Sequence, residues 1–82
     1  MATGQADILE GLTEIISETN GTSVGDVRMD KSLVDDLNVD ELTLTEITTA
    51  AEERFKAKIP EADLGKVKTV GDLVACIQRN QS

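Results

Sequence analysis

The chain has 82 residues and a formal charge of -8, from 16 acidic against 8 basic residues. That length suits one small domain, expected to span residues 1–82, and excludes a second module beside an enclosed enzymatic cleft. The negative balance repels phosphate backbones and anionic lipid, so neither nucleic acid nor membrane is an expected partner. No charged-then-apolar leader or run of ~20 apolar residues points to export or insertion, which makes the cytoplasm the expected compartment.

Phe55 is the single aromatic residue, so the core must be built from aliphatic side chains. Ile8, Leu9, Leu12, Ile15 and Ile16 recur at three- and four-residue spacing, and Asn20-Gly21 supplies a stop, which predicts a first helix of about four turns. Its outer face carries Glu10, Glu14 and Glu18, like charges that weaken an isolated helix, so burial of the aliphatic stripe must hold it. Residues 21–39 lose the periodicity. Val24, Val27, Met29, Leu33, Val34 and Leu37 are nevertheless too apolar for a free linker and are expected to pin this stretch to the core.

Asp40 is a good N-cap for a second helix, whose buried face is expected from Leu44, Ile47, Ala51 and Phe55. Thr43, Thr45, Thr48 and Thr49 lower its propensity. Pro60 blocks continuation and opens a short third helix over residues 61–65. Thr69 with Asp72 resembles a capping box for a fourth helix, buried through Val70, Leu73, Val74 and Ile77. Cys76 falls beside Ile77 and is expected as a small buried hydrophobe. The fold class is all-α: a four-helix bundle of three longer helices and one short one, with a long loop between the first and second.

Residues 35–55 hold seven acids (Asp35, Asp36, Asp40, Glu41, Glu46, Glu52, Glu53) against Arg54 alone. A field of one sign there steers a basic partner surface towards it. Residues 30–41 have the length of a calcium loop with acids at both ends, but Val34 sits at a ligand position and Asp35 where glycine makes the turn, so no metal site is expected. The chain has no His, the usual base for a catalytic Ser or Cys, and no enzymatic activity is expected.

The segments Ser32-Leu-Val-Asp-Asp-Leu-Asn-Val-Asp-Glu-Leu-Thr-Leu-Thr-Glu-Ile, Ala50-Ala-Glu-Glu-Arg-Phe55, Lys58-Ile-Pro60 and Lys68-Thr-Val-Gly-Asp72 together cover most of the chain. Across them it resembles the bacterial acyl carrier proteins of type II fatty-acid or polyketide synthesis. The resemblance implies the long loop, with a helical turn at residues 33–37. In that family the serine of an Asp-Ser-Leu motif carries a 4'-phosphopantetheine arm. Here Asp40-Glu41-Leu42 stands in its place, so the arm is the family's cofactor while none is expected on this sequence.

The resemblance also implies docking of basic synthase enzymes on helix two through Asp40, Leu42, Glu46, Glu52 and Glu53, by a monomer. Thr45 and Thr49 fall where the family is usually apolar. Thr43 is the nearest hydroxyl to residue 41 but lies roughly 200° further around the helix, and Ser32 belongs to the loop. The family shelters acyl chains between its helices, and Ala50 and Ala51 leave room for one. The reading that follows is a carrier relative that docks but cannot be loaded. The alternatives are an unmodified decoy or regulator of carrier-binding enzymes, and a small free-fatty-acid-binding protein.

Overall fold

The computed structural model describes residues 4–81, so the outermost positions of the expected 1–82 domain, residues 1–3 and 82, lie outside the described residues. The described chain forms α1 (Gln5–Asn20), α2 (Glu41–Phe55), α3 (Glu61–Leu64) and α4 (Val70–Arg79), with a single 3-10 turn at Val24–Asp26. No strand occurs among the described residues, and the fold is an all-α bundle.

α1 lies against both α2 and α4. Ile8, Leu12 and Ile16 of α1, Ile47 and Ala51 of α2, and Val70, Leu73, Val74 and Ile77 of α4 are all completely removed from solvent. Burying such aliphatic side chains contributes about 1.5–3 kcal/mol each. Phe55 is half-buried, and its ring fills the space above Gly11, where a Cβ would collide with the ring tip. α1 ends as its sequence predicts: Gly21 takes a left-handed φ of 74° and donates its N–H to the Ser17 carbonyl.

The long connection between α1 and α2 is strapped down by its own backbone. Leu33 N–H donates to the Lys68 carbonyl at 2.9 Å, Val70 N–H to Lys31 at 3.0 Å, and Gly71 N–H to Met29 at 2.9 Å. The Asn20 side chain donates to the Leu37 carbonyl at 2.8 Å and ties the loop to the end of α1. Asp36 N–H and Leu37 N–H both donate to the Ser32 carbonyl, closing the turn at residues 33–37.

Val27, Leu33 and Leu37 are buried as their apolar character predicts, and Met29 is half-buried. Val24 and Val34 are not: they stand 61% and 62% exposed, Val24 opening the 3-10 turn and Val34 directed outwards from the 33–37 turn. The bonds to residues 68–71 fix the register of this loop, and its side-chain directions follow from that register rather than from hydrophobicity alone.

Thr48, which lowers helix propensity, is a buried member of the α2 face, and its hydroxyl donates to the Leu44 carbonyl at 2.7 Å. That bond removes the cost of burying the group. Thr69 and Asp72 complete a capping box at the head of α4, with Asp in the third position doing what Glu or Gln usually does.

Candidate functional site

The start of α2 brings together Asp40, Glu41 and Leu42, three of the exposed groups singled out in the sequence. Asp40 is in extended conformation, and its Oδ1 accepts from Thr43 N–H at 2.7 Å while its carbonyl takes Leu44 N–H. The Thr43 backbone bond, reinforced by the Thr43 side chain, holds the Asp40 carboxyl below the ordinary aspartate range. Glu41 follows as the first helical residue, exposed in the turn where a carboxylate is favoured by the free N–H groups and the helix dipole. Leu42 is 70% exposed, a large apolar side chain directed into solvent beside two carboxylates.

At roughly 100° per residue, Leu42, Glu46, Thr49 and Glu53 fall on one narrow stripe of α2. All four are exposed. Arg54, the lone base of this region, is turned away to pair with Glu14 of α1 at 2.8 Å, which leaves the stripe with carboxylates only. Glu52 differs from its neighbour: it is half-buried, and its Oε2 accepts from Ile59 N–H at 2.8 Å.

An open cleft of about 540 Å³ runs beside the head of α2. Its apolar surface comes from Val34 and Val39 of the loop, Leu44 of α2, Leu64 of α3 and Val67, and its rim from Asp40, Glu41, Thr45 and Glu61. Neither Ala50 nor Ala51 lines it: Ala51 is fully buried in the bundle and Ala50 half-buried. Leu64 and Val67 carry no signal in the sequence beyond being apolar, and Val34 announces itself only as an apolar residue amid acids.

No spare hydroxyl is poised at the helix start. Thr45 donates to the Glu41 carbonyl at 3.0 Å and Thr49 to the Thr45 carbonyl at 2.9 Å, while Thr43 is half-buried. Ser32 is engaged in its own turn, with N–H on Asp36 and Oγ accepting from Asp35 N–H. Cys76 is buried, and burial first, then the nearby Asp63 carboxylate, push its thiol above the ordinary range, so it stays protonated at neutral pH. Among the described residues no three His, Cys, Asp or Glu side chains converge to hold a metal ion, and no helix is long and apolar enough to cross a membrane.

The family model for the phosphopantetheine attachment site matches residues 10–77. The chain belongs to the acyl carrier protein family. Members of this family are carriers rather than enzymes, and they interact with synthase enzymes. Among similar proteins, the meromycolate extension acyl carrier protein of Mycolicibacterium aurum is 46% identical over 79 residues, covering 96% of this chain and 81% of that one. The acyl carrier protein of Acidothermus cellulolyticus is 47% identical over 74 residues, covering 90% of this chain and 88% of the relative. The solved acyl carrier protein from Enterococcus faecalis superposes with a TM-score of 0.78 at 28% identity, covering 96% of this chain and all of that one.

Proposed function

We propose that this chain is a monomeric, cytoplasmic carrier-type protein of fatty-acid synthesis, of the meromycolate extension kind for which its mycobacterial relatives are named, that docks on synthase enzymes without being loaded. The observation that carries the reading is the head of α2. Asp40 and Leu42 match the residues that flank the family's attachment serine, and Glu41 lies between them, exposed in the first helical turn.

The family's arm does not fit this donor set. Its phosphate must be esterified to a hydroxyl, and a carboxylate in that place would give an acyl phosphate, a linkage suited to transient intermediates rather than a durable carrier. Thr45 stands nearby, but its hydroxyl is already donated to the helix backbone.

Docking has independent support. Leu42, Glu46 and Glu53 offer a basic partner one apolar anchor and two fixed charges with no competing base on the stripe. Asp40 is exposed at the N-terminal end of the same helix, beside the cleft. The fatty-acid-binding alternative is disfavoured by the cleft, whose lining includes Asp40, Glu41 and Glu61 and no Lys or Arg to receive a fatty-acid carboxylate.

The test is intact mass after incubation with coenzyme A and a broad-specificity phosphopantetheinyl transferase. The parent is expected to gain nothing, and Glu41→Ser to gain one arm. A stable adduct on the parent overturns the reading. An unmodified Glu41→Ser favours the decoy or regulator alternative, because the transferase would then fail to recognise the surface itself.

A further inference from the structure

We propose that Glu52, though it belongs to the acidic run of α2, is a positioning residue that sets α3 against α2, and that it stands outside the surface a basic partner reads. The inference uses the docking reading for one of its two measurements and the geometry alone for the other.

Three backbone N–H groups of the connection after α2 converge on Glu52. Its carbonyl accepts from Lys56, which caps the helix in left-handed conformation at φ 53°, and from Ala57 at 3.1 Å. Its carboxylate then reaches past both to accept Ile59 N–H at 2.8 Å. The chain is thereby folded back beside the helix it has just left. Ile59 is buried, and the next residue, Pro60, receives Asp63 N–H and Leu64 N–H on its carbonyl and so starts α3.

α3 has only four residues and cannot hold its own place. Among the described residues no Cα of α3 lies within 8 Å of one in α2. Its distance from α2, which is the width of the cleft, is set from one side by α4, where Arg79 reaches Asp63 at 3.9 Å, and from the other by the connection that Glu52 holds. A carboxylate accepting a backbone N–H is a stronger and shorter tie than a neutral pair.

Direction around the helix agrees. Glu52 comes eleven residues after Glu41 and seven after Thr45, so all three share the flank of α2 that faces the cleft, while Glu53 lies roughly 100° away on the outer stripe. Glu52 and Glu53 are adjacent in sequence and have different work.

Two substitutions separate charge from reach. Glu52→Gln keeps an acceptor for Ile59 N–H and removes the charge; Glu52→Asp keeps the charge and, one methylene shorter, falls short of Ile59. Amide exchange at Ile59 and backbone chemical shifts over residues 61–67 are read by NMR. Affinity for a carrier-binding synthase enzyme is read by calorimetry, with Glu53→Gln as the comparison.

Glu52→Gln is expected to leave the shifts of residues 61–67 in place and affinity within about twofold of the parent, and to quicken Ile59 exchange less than Glu52→Asp, which speeds it by about tenfold, the loss of one charge-assisted bond, and moves the shifts of residues 61–67. Glu53→Gln is expected to weaken affinity several-fold without touching α3. The inference is overturned if Glu52→Gln loses as much affinity as Glu53→Gln, or if Glu52→Asp leaves Ile59 exchange and the α3 shifts unchanged. If the parent itself binds no synthase enzyme, the docking reading fails, and the exchange and shift measurements still decide the role of Glu52.

Discussion

Asp40 and Asp72 each accept backbone N–H groups at the head of a helix, Asp40 from Thr43 and Asp72 from Lys68 and Thr69. Those bonds favour the ionised form and lower both pKa values. A carboxyl with a lowered folded pKa contributes stability that is complete above its unfolded value of about 3.9 and is lost as pH falls through the folded one. Urea unfolding followed from neutral pH down into this acid window is therefore expected to show a steeper loss for the parent than for Asp72→Asn. The two curves should converge at the acid end, where Asp72 is protonated in both folded and unfolded chains. Parallel curves would mean that Asp72 gives nothing through its charge. Exposure of both groups keeps the effect modest, and it is the slope that identifies it.

At the scale of elements, the helices were readable because periodicity and caps agree: the α1 stripe, the Asn20-Gly21 stop, Asp40, Pro60 and the Thr69–Asp72 box all stand where the pattern places them. The directions of single side chains were less so. Val34 and Leu33 are neighbours of similar hydropathy, yet one is buried and the other open to solvent, because bonds to residues 68–71 choose the loop's register. Glu52 and Glu53 look alike as letters, and the difference between them is made by Ile59, seven residues on, which no local pattern announces. Leu64 and Val67 go unannounced for the same reason: they reach the cleft through the return of the chain after α2.

The strap also makes a demand on α4. A Cβ on Gly71 would stand 2.9 Å from the Met29 carbonyl oxygen, a backbone atom with no rotamer to escape into. Gly71→Ala is expected to destabilise by about 1–3 kcal/mol despite Ala's better helix propensity, as overpacking does. Chemical denaturation checks this, and an unchanged or raised midpoint would show that the strap yields freely.

Over the whole molecule, charge and fold pull in opposite senses. A net -8 on a chain this small strains the compact state by self-repulsion, and the same field draws a basic partner. Salt acts on both, since the Debye length falls from about 30 Å at 0.01 M to about 8 Å at 0.15 M. Raising ionic strength over that range is expected to raise the melting temperature in scanning calorimetry while weakening affinity for a synthase enzyme in titration. A melting temperature that falls with added salt would contradict the first half, and an affinity indifferent to salt the second.

The bonds joining residues 29–33 to residues 68–71 span nearly half the chain. A bundle of neighbouring helices would assemble from local contacts, whereas here the first half of the polypeptide cannot finish its meander until the head of α4 has arrived. The stretch with the least regular structure is thus held by long-range backbone bonds, and its tied amides should open only when the head of α4 does.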